Sequence, residues 1–224
     1  LARRADPSAS FIQGVQARCK ELQRRIVFAE GEEPAVVRAA FSFKNQGLGH
    51  PILIGREAQV ERAMEQMGIQ PGTLEILNAR LSDNNPVYTD MLYARLQRDG
   101  YLKRDAQRLV NQDRNVFGCC MLKNGDADGM VTGVTRNYDV ALNDSLLVLD
   151  PIPGQAIIGM SMVINRGRTV FIADTSVTEL PQGEDLANIA IEAARGVRSL
   201  GFSPRVAFLS YSTFGNPMGE RGEK

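Results

Sequence analysis

The sequence predicts an α/β protein whose first half is built on parallel strands, and three observations carry that prediction. Short apolar runs at Arg25 to Ala29, Pro51 to Gly55 and Leu74 to Leu77 alternate with amphipathic segments. The alternation fits strand-helix-strand-helix-strand in so short a stretch that parallel neighbours joined by right-handed crossovers are required, because two-residue turns cannot connect parallel strands. Finally, 224 residues with 43% apolar and 23% charged side chains are enough to bury a real core.

The elements follow in order. Arg25-Ile26-Val27-Phe28-Ala29 stops at Glu30-Gly31-Glu32-Glu33-Pro34, as a buried parallel strand stops at a turn. Pro34 suits the first turn of a helix, in which Ala35, Val36, Ala39, Ala40 and Phe43 recur at helical spacing before Gly47 and Gly49 stop it. Pro51 to Gly55 repeats the strand, Glu57 to Met67 repeats the helix, and Leu74 to Leu77 is a weaker third strand. Met91 to Gln97 and Asp105 to Asn111 are helical by composition, and Val116 to Leu122 is apolar enough to lie inside. The run Gly125 to Gly133 is a turn, a short apolar step and another glycine.

From Asp150 the texture changes. Pro151-Ile152-Pro153-Gly154 reads as a linker or corner, so a first domain is expected over 1–149 and a second, incomplete one over 150–224. Ala156 to Ile164 and Thr169 to Ala173 are β-rich runs joined by Asn165-Arg166-Gly167-Arg168, which predicts an antiparallel hairpin within a mixed sheet. Glu184 to Leu200 is an amphipathic helix, and Arg205 to Ser210 is read as a further buried strand.

Composition removes several classes of function. With 26 basic and 26 acidic residues, no excess of positive charge is available to release counterions from a polyanion, so a nucleic-acid binder is disfavoured. No window approaches the roughly 18 continuous apolar residues of a membrane span, and the start lacks the apolar core of a signal peptide, so a soluble, cytoplasmic chain is expected. Cys19, Cys119 and Cys120 form neither an even disulfide framework nor a metal spacing, and reduced, packed thiols follow. His50, the single histidine, sits between Gly49 and Pro51 at a strand entrance, where a loop histidine is the plainer reading than a proton relay. The absent initiator Met and a helical start near Lys224 that never develops read as a piece of something longer.

In open α/β sheets ligands settle beyond the carboxyl ends of the strands. Three loops are expected there: Glu30 to Glu33, Thr132 to Asn137, and Ser210 to Gly215. The last two are rich in hydroxyls and glycines, which can offer O–H and main-chain N–H donors to an anion or serve as ordinary turn and cap chemistry. Arg136 is the fixed positive charge placed to meet such an anion, unless it is a surface arginine. Asp126 and Asp128 are either paired carboxylates or a capping turn. Neither the triphosphate cradle nor the dinucleotide fingerprint is present, which disfavours a hydride-transferring dehydrogenase within the chain.

The blocks Arg25 to Gly31, Gly125 to Gly133, Phe171-Ile172-Ala173-Asp174 and Pro204 to Ser212 together resemble the phosphate acetyl/butyryl-transferase family, in the family's order from about residue 20 to the end. The resemblance implies two α/β domains of the isocitrate/isopropylmalate-dehydrogenase-like kind, with acyl-CoA in the cleft between them. Active members exchange an acyl group between coenzyme A and phosphate, which needs arginines to hold phosphate and a donor to stabilise the oxyanion. Here the sequence departs. Where active members carry Leu-Arg-Pro, this chain has Leu142-Asn143-Asp144: Asn143 has no charge to clamp phosphate and Asp144 would repel it. A second family arginine falls in register with Leu96, with Arg95 and Arg98 beside it, and the serine-arginine pair of active members falls beyond Lys224.

The departures, with Arg136-Asn137-Tyr138, Pro151 to Gly154, Arg166 to Thr175 and Asn216 to Arg221, resemble the subgroup in which such a module is fused behind a bacterial NADP-dependent malic enzyme. That resemblance implies a module without transferase activity that senses acetyl-CoA and assists oligomerisation as at least a dimer, with NADP and divalent metal held in a part upstream of Leu1. Thr132, Gly133, Arg136, Ser210, Tyr211 and Ser212 are expected to line the cleft, with Asn143 marking the lost phosphate clamp. The alternatives are a working phosphate acetyltransferase in which Arg136 or a neighbour replaces the lost arginine, and a purely structural dimerisation unit using an apolar face of the hairpin from Ala156 to Ala173.

Overall fold

The computed structural model describes residues 7–165 and 168–209, which fall into two compact units with boundaries between Ser10 and Phe11 and between Asp150 and Pro151. The unit Phe11–Asp150 holds a four-stranded parallel sheet in the order β3-β2-β1-β4, made of β1 (Arg25–Phe28), β2 (His50–Ile54), β3 (Glu75–Leu77) and β4 (Gly129–Val131). The crossovers are α2 (Pro34–Asn45) and α3 (Glu57–Gln66), and then α4 (Asn85–Leu96), α5 (Lys103–Gln112) and α6 (Arg114–Asn124) between β3 and β4. The helix α7 (Tyr138–Leu146) follows β4. The polar lead, in which the sequence signalled no element, is a helix, α1 (Pro7–Leu22).

Strand periodicity explains the packing. Val27, Ile52 and Ile54 face one side and pack with Tyr88, Leu92, Phe117, Cys119, Cys120 and Met121 from α4 and α6. Phe28 and Leu53, one residue along, face the other side and pack with Val36, Val37, Ala40, Val60, Ala63 and Met64 from α2 and α3. Helices on both faces leave no solvated side, which is why these strands are continuously apolar rather than alternating. The expected interior run 116–122 is the body of α6, whose first turn is capped by the Asp113 carboxylate accepting from Asn115 N at 2.9 Å and Val116 N at 3.1 Å. Cys119 and Cys120 are free and fully buried there, and burial pushes their thiols up to about 11 and about 12.

In the second unit, β5 (Met160–Asn165) and β6 (Arg168–Ala173) pair antiparallel, Met160 opposite Ala173 and Asn165 opposite Arg168, as the hairpin reading requires. Among the described residues this hairpin is the whole of that unit's sheet. The helix α8 (Gly183–Ser199) packs on β6, and Phe171 meets Phe202 edge to face at 5.3 Å. The strand expected over 205–210 is corrected: residues 205–209 belong to no strand, and Val206, Phe208 and Leu209 are exposed. A short apolar run becomes a buried strand only where a neighbouring strand supplies ladder partners, and no described strand does so here. No helix among the described residues is long and apolar enough to cross a membrane.

Candidate functional site at the carboxyl ends of the parallel strands

The strand ends converge as expected, but their donors are already engaged. Beyond β1, Ala29 N continues the ladder to Val131 O and Gly31 N bonds Ile54 O. Gly31 has to be glycine: a Cβ there would stand 2.8 Å from Ile54 O and 2.9 Å from the Leu53 Cβ. Between them Glu30, only 1% exposed, turns its side chain toward the loop that follows β4. Its carboxylate accepts from Gly133 N at 2.9 Å, Val134 N at 2.6 Å, and Thr135 N at 2.7 Å, and from the Thr135 hydroxyl at 2.6 Å. An Arg114 Nη2 stands 3.7 Å away and also donates to Thr135 Oγ1 at 2.5 Å. Burial pushes the Glu30 carboxyl up, yet the Thr135 hydroxyl, the Val134 and Thr135 amides and the Arg114 charge outweigh it, and the group lies below its ordinary value.

This changes the reading of the loop. The amides of Gly133, Val134 and Thr135, expected to be open to an external anion, close around an internal one. Thr132 donates its hydroxyl to Asn115 Oδ1 at 2.7 Å, and Asn115, fully buried, donates in turn to Asp144 at 3.0 Å. Arg136, expected to meet a ligand, donates to Asp113 at 2.7 Å and to Asp144 at 2.5 Å. Burial disfavours the Arg136 charge, but these carboxylates outweigh it and hold the guanidinium more firmly protonated than usual. Thr132, Gly133 and Arg136 are thus brought together, on a loop locked to β1, α6 and α7. Val131, Val134 and Tyr138 remain about half exposed beside them.

A cavity of about 520 Å³ opens between the end of α4 and α7, lined by Arg95, Leu96, Asp99, Asn143, Asp144, Leu146 and Leu147. Asn143 and Leu96, the latter with Arg95 beside it in the stretch where the resemblance calls for a second arginine, therefore face one space. Arg95 is tied down: Nε donates to Leu147 O at 2.9 Å, Nη2 to Leu146 O at 3.0 Å, and Nη1 to both Asp150 oxygens at 2.7 Å. It caps the carboxyl end of α7, as a cation near the last carbonyls of a helix should.

The open choice at Asp126 and Asp128 is settled by their partners. Asp126 accepts from the Tyr88 hydroxyl at 2.5 Å and from Asn124 at 2.9 Å, while Asp128 accepts from Arg25 N at 2.8 Å and Arg24 at 2.6 Å. They are turn anchors. His50 is exposed as the first residue of β2, and its N–H bonds Arg24 O. Ser210, Tyr211 and Ser212 lie outside the described residues. Among the described residues no group of three His, Cys, Asp or Glu side chains could hold a metal ion. The sequence reading missed Glu30 as a site residue, although an acid between the end of an apolar strand and a glycine was its signal.

A parallel sheet with helices on both faces defines an open α/β protein, and solved phosphotransacetylases share its fold. A phosphotransacetylase from Streptococcus pyogenes superposes with a TM-score of 0.82 at 28% identity, over 94% of this chain and 64% of that one. The chain belongs to the phosphate acetyl/butaryl transferase family, whose profile matches residues 10–224. It is 52% identical to an NADP-dependent malic enzyme of Rhizobium meliloti over all of this chain and 30% of that protein. It is 29% identical to a phosphate acetyltransferase of Thermoanaerobacterium thermosaccharolyticum over 96% of this chain and 67% of that protein. The chain thus spans less than a third of the length of that malic enzyme.

Proposed function

We propose that this chain is a non-catalytic, acyl-CoA-responsive module of an NADP-dependent malic enzyme, binding acetyl-CoA as an effector and assisting homo-oligomer assembly. One observation carries the reading. The resemblance puts a phosphate-holding arginine at Asn143 and another at Leu96 or its neighbours Arg95 and Arg98; Asn143 and Leu96 line one cavity, and Arg95, which lines it too, is spent on helix carbonyls and Asp150. Arg98, exposed and further along the chain, is not among the residues that line the cavity, so phosphoryl charge there meets no free guanidinium and an acyl-phosphate reaction lacks its electrostatic support.

Under this reading the chain forms two domains, over 1–149 and 150–224, of the isocitrate/isopropylmalate-dehydrogenase-like kind. Acetyl-CoA is bound through the Thr132 to Arg136 loop, with Ser210, Tyr211 and Ser212 as the further ligand-binding residues that the resemblance implies. The pantetheine arm has apolar surface to rest on at Val131, Val134 and Tyr138. The protein is cytoplasmic, and NADP and the divalent metal belong to another part of the parent enzyme, whose reaction is the oxidative decarboxylation of malate to pyruvate. A ligand regulates only through differential affinity for two states, so acetyl-CoA must favour one packing of these modules over another.

Two measurements on the full-length protein test this. Calorimetric titration with acetyl-CoA is expected to give saturable heat together with a change in malate oxidation. Incubation with CoA and acetyl phosphate is expected to give no acetyl-CoA. Turnover in the second assay would support the alternative of a working phosphate acetyltransferase, and silence in the first would leave only a dimerisation unit.

A further inference from the structure

The loop after β4 has the shape of an anion nest, and the anion in it is part of the chain. Three successive amides, Gly133, Val134 and Thr135, with the Thr135 hydroxyl, converge on Glu30 from more than a hundred residues away in sequence. Arg114 completes the enclosure on the side of α6. Successive N–H groups that point to one spot carry partial positive charge and repel one another unless an anion sits between them. The turn that aims Thr132 at Asn115 and Arg136 at Asp113 and Asp144 is therefore held in place from β1.

We infer that Glu30 is the positioning residue of the candidate acyl-CoA site: its carboxylate serves as a permanent internal anion that closes residues 133–135 into the form the ligand meets. The acyl-CoA part of this statement rests on the function proposed above. The positioning part rests on the geometry alone. Removing the carboxylate empties the nest, leaves Arg114 without its buried counter-charge, and makes the loop a receptor for a small external anion such as formate. Glutamine does not substitute, because its amide has one acceptor oxygen for donors that engage both carboxylate oxygens, and its N–H groups would face a main-chain N–H, that of Thr135 or those of Gly133 and Val134.

The test compares full-length wild type, Glu30→Ala and Glu30→Gln by hydrogen exchange of the peptide spanning 132–136 and by acetyl-CoA titration, with and without millimolar formate. In Glu30→Ala, exchange over 133–135 is expected to rise, and acetyl-CoA affinity to fall, by at least about tenfold, the loss that a single charge-assisted hydrogen bond accounts for. Formate is expected to reverse both in the alanine variant and neither in the glutamine variant. Unchanged exchange over 132–136 in Glu30→Ala overturns the inference. So does a rise spread over every peptide that formate leaves unmoved, since that marks general loss of stability. A wild-type protein that takes no acetyl-CoA overturns the functional reading alone, and the exchange and formate arms then still decide the role of Glu30.

Discussion

Arg136 and Asp144 meet at 2.5 Å, and that bond ties the loop after β4 to the helix that lines the neighbouring cavity. The same Asp144 oxygen accepts from Asn115, so one carboxylate satisfies a half-buried guanidinium and a fully buried amide. Asp144, beside Asn143, is therefore structural, and the repulsion it was expected to exert on phosphate is largely cancelled by Arg136.

Asp144→Ala strands the Asn115 amide and leaves Arg136 with Asp113 alone. A loss of about 2–4 kcal/mol is expected, as for breaking one side of a largely buried ion pair. Asn143→Ala, one residue away and exposed, is expected to stay within about 0.5 kcal/mol of wild type. Urea unfolding of the two variants measures the contrast.

Glu30 and Asp174 both lie below their ordinary values despite burial, the first through the 133–135 nest and Arg114, the second through the amides of Gly159, Thr178, Ser176 and Val177. A carboxyl depressed in the folded state binds fewer protons there than in the unfolded chain, so its contribution is complete above the unfolded value near pH ~4 and drains away as pH falls through the folded one. Thermal midpoints are expected to hold from pH 7 to about 5 and to drop below about 4. Glu30→Gln is expected to flatten that drop.

Asn143→Arg places a guanidinium on the cavity where the resemblance calls for one, at an exposed position that can accept it. The variant is expected to gain orthophosphate binding by calorimetry that the wild type lacks. Leu96→Arg is not an equivalent change, because Leu96 is 4% exposed and packs in the core. It is expected to destabilise the fold by about 3 kcal/mol or more, since an unpaired charge would replace buried leucine.

Thiol chemistry separates the three cysteines. Burial pushes Cys119 to about 11 and Cys120 to about 12, so neither presents thiolate at neutral pH, whereas Cys19 is partly exposed on α1. Titration with a disulfide reagent is expected to count one thiol in the native protein and three after denaturation.

The strand-helix alternation of the first unit was legible because burial on both sheet faces writes continuous apolar runs such as Ile52-Leu53-Ile54 into the chain. Turn chemistry announced the hairpin in the same way, through Asn165 to Arg168. The helix α1 left little trace, since its polar residues show no continuous apolar face to read. The supposed strand after Pro204 carried a continuous apolar run without a described partner, and an apolar run alone does not supply one.

What the sequence determined by itself was the class of sheet, the place of the loops at its carboxyl ends and the buried pair Cys119 and Cys120, because each follows from local composition and period; the uncharged Asn143 stands out only against the family resemblance. Only the tertiary structure decided how the polar groups are matched. Glu30 meets Thr135, Arg136 meets Asp113 and Asp144, and Arg95 meets the end of α7 and Asp150. Hydrogen bonds and charges are satisfied by neighbours in space, and a nest that reads as open to a ligand along the chain can already be filled by a carboxylate from a distant strand.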